Sequence, residues 1–164
     1  MSSEIKKLNS MRLLDSQNVT YETHSYDESI TDGKRAAEAM GIPPAEVYKT
    51  LVVQLDSNKF ALVMVPVDHT LDLKQFARAV GLKKVSMPPK RTAEMATGLK
   101  AGGIGALALV HKRWGVYLDE KAKAHEAILV NAGQRGVNLK VKVDDLVRVL
   151  NAKVVDVAVA GTEE

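Results

Sequence analysis

Cysteine is absent from the 164 residues of the chain, so the protein has no disulfide framework, no cysteine-based metal site and no thiol nucleophile of its own. Aromatic residues are scarce as well: two Phe and one Trp do not supply a stacking platform for single-stranded nucleic acid. Long apolar runs are missing, including after the polar first residues. We therefore expect no signal peptide, no membrane span and a cytoplasmic location.

The usual sequence signatures of catalytic and metal sites are missing too. The four histidines show no H-x-x-x-H or similar ligand spacing, and we interpret them as surface or structural residues. Neither a G-x-S-x-G nucleophile elbow nor a Walker loop occurs. We therefore expect no metal and no cofactor, and any chemistry must come from less obvious residues.

What the chain does contain is ordinary for a globular protein: 46% apolar and 26% charged residues. The length fits one domain with a substantial core, which we place at residues 1–160, followed by a short tail at 161–164. The net charge is +3 and the pI is about 9.0. This balance suits a polyanionic partner such as RNA, although many basic proteins bind none.

The most informative stretch is Val-Tyr-Lys-Thr-Leu-Val-Val-Gln-Leu at residues 47–55. Its β-branched and aromatic residues predict a strand that ends at a turn over 56–58. Side chains alternate along a strand, which puts Lys49 on the more apolar face, beside Leu51 and Val53. A buried, unpaired ammonium group is costly. Lys49 is therefore either a strand-end lysine whose ammonium reaches water or a functional residue.

Periodicity and turn residues predict helices and strands that intermix along the chain. Helices are expected after a Ser2 or Ser3 cap, at Gly33–Met40 behind a Thr31 or Asp32 cap, from Asp72 to Val80, after Pro88 and Pro89 to Ala96, and from Asp144 or Asp145 to Leu150. Further strands are expected at 19–26, 60–66, 83–87, 106–110, 115–118, 128–130, 137–143 and 154–159, with 160–164 as a frayed end.

The order of these elements predicts the fold class. The 60–66 strand should form an antiparallel hairpin with 47–55, because the connection is short. Regular βαβ alternation is absent. We therefore predict a mixed α+β fold, in which a curved, partly barrel-like and mostly antiparallel sheet is flanked by helices.

Two glycine-bearing loops stand out among the turns. We call residues 97–105 the first glycine loop and residues 131–136 the second glycine loop. Glycine lets backbone N–H groups approach an anion or a developing oxyanion closely, and lysine supplies a compact positive charge. Each feature alone is weak, because most glycine loops are only turns. Together with Lys49 they predict a site that uses backbone donors and one cation and has no nucleophile of its own.

Six ordered groups of residues resemble the YbaK/EbsC family, the free-standing relatives of the editing domain inserted in bacterial prolyl-tRNA synthetases. They are His24-Ser25-Tyr26-Asp27, Tyr48-Lys49-Thr50-Leu51, Leu71-Asp72-Leu73-Lys74, Gly81-Leu82-Lys83-Lys84-Val85, Thr97-Gly98 followed by Gly102-Gly103-Ile104, and Ala132-Gly133-Gln134-Arg135-Gly136. The resemblance runs from about Tyr21 to Val157. Several markers in order at the expected spacing make the match specific, although no single one is.

The resemblance implies a barrel-like mixed sheet and an aminoacyl-tRNA deacylase that acts in trans. The implied partner is an aminoacyl-tRNA, typically cysteine misattached to proline tRNA, and prolyl-tRNA synthetase is a second candidate partner. Lys49 matches the family's essential lysine, which holds the 3′-terminal nucleotide and its phosphate. Tyr26 matches a tyrosine near the substrate. In cysteine-specific members the substrate's own thiol is understood to attack its ester carbonyl, which suits a protein without cysteine.

The resemblance also assigns roles to the loops. The amides of Gly102 and Gly103 would stabilise the oxyanion, and Lys49 would bind substrate rather than act as a general base. The other expected substrate contacts are Tyr26, Thr50, Ile104, Asn131, Ala132 and Gly133.

The chain departs from the family pattern at two places on the expected pocket wall. Gly105-Ala106 stand where cysteine-specific members usually carry Ser-Pro, and Asn131-Ala132-Gly133 stand where they carry Ser-Gly-Gly or Ser-Ala-Gly. Pocket shape separates small apolar side chains by only about 1–3 kcal/mol, so such changes can alter the preferred amino acid, for example to alanine.

The alternatives to a deacylase are a non-catalytic aminoacyl- or nucleotide-binding module and a plain interaction domain. The sequence does not determine the oligomeric state.

Overall fold

The computed structural model describes residues 6–56 and 58–161. The α-helices of these ranges are α1 (Asn9–Ser16), α2 (Gly33–Met40), α3 (Leu73–Ala79), α4 (Lys90–Thr97) and α5 (Val143–Leu150). The strands are β1 (Tyr21–Ser25), β2 (Val47–Asp56), β3 (Lys59–Pro66), β4 (His69–Leu71), β5 (Gly115–Asp119), β6 (Ala127–Gln134), β7 (Val137–Lys142), β8 (Lys153–Val155) and β9 (Ala158–Ala160).

Seven strands form one mixed sheet in the order β1-β7-β6-β2-β3-β5-β8, while β4 pairs with β9 separately. The antiparallel ladders, which join β1 to β7, β6 to β7 and β2 to β3, are longer than the parallel ones. Parallel pairing joins β2 to β6, β3 to β5 and β5 to β8. The mixed, mostly antiparallel sheet flanked by helices is thereby confirmed. In the described part of the chain β1 and β8 are its free edges, so the sheet stays open.

Both faces of the sheet are covered, which explains the continuous apolar run of β3. Leu62 packs on one face in the cluster that holds Leu14 of α1 and Leu146 of α5. Its neighbour Val63 packs on the other face with Phe76 of α3. Alternate side chains of β3 therefore enter two separate layers, and the strand has no solvent face.

The central strand β2 has two unequal neighbours. Its antiparallel ladder with β3 runs from the Tyr48–Pro66 pair past the Gln54–Phe60 pair, as the predicted hairpin requires. Its parallel ladder with β6 contains only Val47 with Leu129 and Tyr48 with Val130. Beyond Tyr48 the two strands separate, and a cleft opens between them.

The ends of several helices follow the sequence rules. Asp32 caps α2 by accepting a hydrogen bond from the Arg35 N–H at 3.1 Å, and Gly41 ends the helix with φ of +71°. Helix α1 begins at Asn9, and the proposed Ser2 or Ser3 cap lies outside the described residues. Helix α5 begins one residue before the acids proposed to cap it, so Asp144 and Asp145 lie in its first turn.

Two predicted strands are wrong. Residues 106–110 lie in two short 3-10 helices, Ala106–Ala108 and Val110–Lys112, and Leu107 and the intervening Leu109 are buried in the core. An apolar run alone does not distinguish a strand from a buried turn. At 83–87 only Ser86 pairs, through an isolated bridge to Gln54, because Lys83 and Lys84 point to solvent and give the segment no second buried face.

The C-terminal strand prediction is wrong in a different way, since 154–159 is divided between β8 and β9. Asp119, fully buried at the end of β5, accepts the N–H groups of Val157 and Ala158 on Oδ1 at 2.9 and 2.8 Å. These bonds turn the chain out of the large sheet. Ala160, expected to be frayed, instead pairs with His69.

Asp119 also accepts the Lys121 N–H on Oδ2 at 3.0 Å, so replacing it tests how this turn is held. We expect Asp119→Ala to lower the free energy of unfolding by about 2–4 kcal/mol, because it leaves buried N–H groups unpaired. Asp119→Asn keeps one acceptor oxygen and should lose less than half as much. Urea unfolding followed by circular dichroism measures both, and equal losses would contradict the role of the acceptor oxygen.

Candidate active site

The cleft between β2 and β6 encloses about 390 Å³, which lies in the size range of small-molecule sites. Its walls come from β2, the start of α2, the segment from Met87 into α4, and the first glycine loop. The lining residues are Tyr26, Thr31, Gly33, Ala36, Val47, Tyr48, Lys49, Thr50, Leu51, Val52, Val67, Met87, Pro88, Lys90, Ala93, Glu94, Ala101, Gly102, Ile104, Asn131 and Asn138.

The cleft brings together six of the nine residues that the sequence nominated. These six are Tyr26, Lys49, Thr50, Gly102, Ile104 and Asn131. Gly103 and Gly133 instead line a second cavity, of about 490 Å³, which also borders Lys100 and Arg135. Ala132 lines neither cavity: its side chain is buried in the core, and its carbonyl accepts a hydrogen bond from Ser10 Oγ at 2.6 Å.

Lys49 projects from β2 into the cleft and is partly buried. Burial lowers its pKa, and the negative charges of Asp32 and Asp68 oppose that shift. Each carboxylate has another partner, since Asp32 caps α2 and Asp68 Oδ1 lies 2.7 Å from His69 Nδ1. No ion pair found in residues 6–56 and 58–161 includes Lys49. Its ammonium group is therefore available to an anionic ligand.

Thr50 presents polar groups of two kinds to the same cleft. On the edge of β2 that faces away from β3, Gln54 exchanges two backbone hydrogen bonds with Ser86, at 2.7 and 3.0 Å. Residues two apart on a strand direct their N–H and C=O groups to the same edge, so those of Thr50 and Val52 point toward the cleft. The Thr50 hydroxyl is buried as well, and it has no hydrogen-bond partner among the described residues.

A second buried hydroxyl on the cleft wall also lacks a partner. Tyr48 is 2% exposed, and burial raises its pKa above the ordinary range, so the phenol is neutral. Only three buried side-chain polar atoms in the described ranges are unpaired, namely Tyr48 Oη, Thr50 Oγ1 and Gln75 Oε1. The residues that carry two of the three, Tyr48 and Thr50, line this cleft. Native proteins pair nearly all such groups, so their concentration here marks a site that a polar ligand would complete.

The two glycines nominated as oxyanion donors are not equivalent. The Gly103 N–H donates to the Lys100 carbonyl at 2.8 Å and closes a turn within the loop. The Gly102 N–H has no partner among the described residues, and Gly102 lines the cleft with φ of +87°. Of the two amides, Gly102 is the one that can receive a developing negative charge in this cleft.

Side chains of the second glycine loop hold the first glycine loop. Asn131 Nδ2 donates to the Gly102 carbonyl at 3.1 Å, while its Oδ1 accepts the N–H groups of Gly133 and Gln134 at 2.6 and 3.0 Å. Arg135 Nε donates to the Ala101 carbonyl at 2.6 Å. The two loops therefore form one cross-linked unit.

The backbones of these loops approach too closely to admit side chains. A Cβ atom on Gly103 would lie 2.8 Å from the Arg135 nitrogen. One on Gly105 would overlap the carbonyl oxygen of Asn131. The two departures from the family pattern, Gly105 and Asn131, are thus direct neighbours in space.

Tyr26 follows β1 at the rim of the cleft, and its N–H donates to the Gly136 carbonyl at 2.9 Å. Burial raises the pKa of its phenol, and hydrogen bonds from the Gly136 backbone and the Asn131 side chain partly oppose the shift. The phenol is therefore neutral near pH 7, and it can donate or accept a hydrogen bond but cannot act as an anion.

Sequence reasoning missed two polar residues of the cleft wall, Tyr48 and Asn138. Asn138 is 4% exposed and lies opposite Asn131 in the ladder between β6 and β7. The signal was present, because a polar residue flanked by Val137 and Leu139 in a buried strand is as unusual as Lys49 in β2.

Within the described ranges, no group of three or more His, Cys, Asp or Glu residues is placed to hold a metal ion. The helices found there are all too short or too polar to cross a bilayer.

Comparison with known proteins agrees with this geometry. Residues 27–149 match the family model of the aminoacyl-tRNA editing domain. The chain is 29% identical over 154 residues to EbsC of Enterococcus faecalis, a candidate Cys-tRNA(Pro)/Cys-tRNA(Cys) deacylase, and the match covers 93% of both proteins. It is also 26% identical over 110 residues to the uncharacterised protein YwhH of Bacillus subtilis, covering 67% of this chain and 69% of that protein.

Solved structures share the fold. A candidate trans-editing enzyme for prolyl-tRNA synthetase superposes with a TM-score of 0.79 at 20% identity, covering 95% of this chain and 100% of that one. A hypothetical protein superposes with a TM-score of 0.84, also at 20% identity, covering 93% of this chain and 100% of that one.

The burial of Lys49 makes a testable prediction about stability. Because burial lowers the pKa of Lys49 from its ordinary 10.5, the unfolded chain binds the proton more tightly than the folded one. The ammonium therefore destabilises the folded protein at neutral pH, and this penalty disappears as the pH rises through the lowered pKa toward 10.5. We expect Lys49→Met to unfold at an equal or higher urea midpoint than wild type at pH 7, with a smaller difference at pH 10. A clear loss of stability at pH 7 would identify Lys49 as a structural residue.

Proposed function

The chain belongs to the aminoacyl-tRNA editing domain family, and on that premise we propose that it hydrolyses in trans the ester bond of a mischarged tRNA, with Cys-tRNA(Pro) as the substrate. Residues 1–160 would act as one editing domain, with aminoacyl-tRNA as the partner. The proposal is supported by EbsC, the relative that shares 29% of its residues with this chain over nearly the full length of both.

The observation that carries the proposal is the set of unsatisfied polar groups that line this one cleft. An ammonium without an ion pair (Lys49), a buried hydroxyl without a partner (Thr50) and an unpaired backbone N–H (Gly102) meet there. Each can bind an oxygen atom, and an aminoacylated ribose with its 5′ phosphate presents oxygen atoms of three kinds: phosphate, hydroxyl and ester. The cleft also has apolar walls from Val52 and Ile104, which suit a small side chain.

Each group takes a role that its chemistry allows. Lys49 binds the phosphate of the 3′-terminal nucleotide as a compact charge, and a phosphate partner would also offset the cost of its burial. Thr50 hydrogen-bonds the ribose or the α-amino group. The Gly102 N–H donates to the ester carbonyl oxygen and binds it more strongly as negative charge develops.

The nucleophile then comes from the substrate or from water, since the chain contains no cysteine. With a cysteinyl ester, the thiol sulfur attacks the ester carbonyl carbon, a C–S bond forms and the C–O bond to the ribose breaks. The thiol proton goes to the departing ribose oxygen, and water subsequently opens the cyclic thioester to free cysteine. The enzyme contributes positioning and oxyanion stabilisation, both of which this cleft can supply.

The test is a panel of labelled Cys-, Ala-, Ser- and Pro-tRNA(Pro) given to wild type, Lys49→Ala and Lys34→Ala. We expect wild type to hydrolyse Cys-tRNA(Pro) preferentially. Lys49→Ala should lose at least about 100-fold in rate, because it removes the cation that positions the substrate. Lys34 is the matched control, because it is an exposed lysine of α2 whose charge influences Lys49, and its loss should cost less than about threefold.

Other outcomes would change the proposed substrate or the proposed function. Preferential hydrolysis of Ala-tRNA(Pro) keeps the mechanism class and changes the substrate, since alanine has no thiol and water must attack. Binding of aminoacyl-tRNA without turnover on any member of the panel makes the protein a binding module. Equal losses for the two lysine variants would mean that only net charge matters.

A further inference from the structure

We propose that Arg135 and Asn131 are positioning residues that clamp the two peptide units on either side of Gly102 and thereby aim the Gly102 N–H into the cleft. This inference rests on the proposed function, in which that N–H receives the developing oxyanion. Neither residue needs to touch the substrate.

Arg135 acts on the peptide unit that contains the N–H itself. The Ala101 carbonyl and the Gly102 N–H belong to one planar trans peptide, so they point in opposite directions. Arg135 lines the second cavity, and its Nε holds the Ala101 carbonyl at 2.6 Å. Holding that carbonyl fixes the Gly102 N–H in the opposite direction, away from the Arg135 guanidinium, in a segment whose residues Ala101 and Gly102 both line the cleft.

Asn131 acts on the following peptide unit. Its Nδ2 donates to the Gly102 carbonyl at 3.1 Å, and its Oδ1 is anchored by the N–H groups of Gly133 and Gln134. Asn131 is 8% exposed, so water competes little for these bonds. Gly102 has φ of +87° and is the kind of residue that rotates freely unless both flanking peptides are held. Arg135 restrains the first of these peptides, and Asn131 restrains the second together with the Gly103 N–H bond to the Lys100 carbonyl.

An arginine that positions the loop and an arginine that binds RNA affect different kinetic constants when they are replaced. Arg135→Lys keeps the positive charge but lacks the planar Nε–H that reaches Ala101, so a positioning role predicts a loss in kcat with KM nearly unchanged. A phosphate-binding role predicts the reverse. Asn131→Asp keeps the acceptor oxygen for Gly133 and Gln134 but replaces the donor that faces the Gly102 carbonyl.

The sharpest signature is the pH dependence of Asn131→Asp. The new carboxyl group can donate to the Gly102 carbonyl only when it is protonated, and as a carboxylate it repels that oxygen. We expect kcat to be at least about tenfold below wild type at pH 8 and to recover relative to wild type as the pH falls toward 5.5. Arg135→Lys should lose at least about tenfold without recovery. Lys100→Ala, in the same loop but outside the clamp, should keep wild-type kcat.

A second measurement, on the free protein, separates failure of the clamp from failure of the proposed function. In ¹⁵N-labelled Asn131→Asp, the Gly102 backbone amide resonance should shift with pH in a step that wild type lacks, whether or not the protein turns over any aminoacyl-tRNA. If wild type is inactive but this step is seen, the proposed function fails and the clamp stands. If the step is missing, or both folded variants keep wild-type kcat across the pH range, the clamp is overturned.

Discussion

The early end of the ladder between β2 and β6 is the constraint on which the site depends. Only two residue pairs join these strands, after which β2 continues with β3 and is bonded on its other edge only by the bridge from Gln54 to Ser86. A fully paired sheet would use the N–H and C=O groups of Thr50 and leave no room beside Lys49. The separation instead exposes one edge of a strand that is otherwise rigidly held, so the groups facing the cleft are placed by the sheet rather than by a mobile loop. The glycine loops then close the opposite wall.

Placing Lys49 at this edge has a cost that the surroundings do not remove. The two carboxylates whose charges raise the pKa of Lys49, on Asp32 and Asp68, have partners at the start of α2 and on His69. If either paired with Lys49 instead, the folded protein would gain an ion pair and the site would lose its cation. The same holds for the unpaired hydroxyls of Tyr48 and Thr50. A group that is already hydrogen-bonded in the free protein gains less when it binds a ligand. The site is thus a local exception to the rule that buried polar groups are paired.

The sequence was sufficient for the parts of the fold that depend on local chemistry. The central hairpin, α2 with its Asp32 cap and the mixed sheet follow from periodicity and turn residues. A lysine on the apolar face of a strand indicated the cleft only together with the family resemblance, because the pattern alone also allowed a strand-end lysine. Prediction from the sequence failed where contacts between residues far apart in the chain determine the local structure. The carboxylate of Asp119 diverts the chain at Val157, and burial from several directions turns 106–110 into 3-10 turns. The sequence also could not predict that Gly102 and Gly103 differ as donors. That difference depends on which of the two N–H groups is hydrogen-bonded in a turn inside the loop.

The two departures from the family pattern are better understood as one structural change than as two. Any side chain at Gly105 would overlap the carbonyl oxygen of Asn131, and the Asn131 side chain accepts the N–H groups of Gly133 and Gln134 in the turn that begins at this residue. A serine at 105 therefore requires a different backbone path at 131, and the side chain at 131 helps to determine that path. Because Asn131 and Gly102 both line the cleft, the shape of its wall depends on this pair of positions jointly. Amino-acid preference in this branch of the family should accordingly follow the combination of residues at 105 and 131 rather than either position alone.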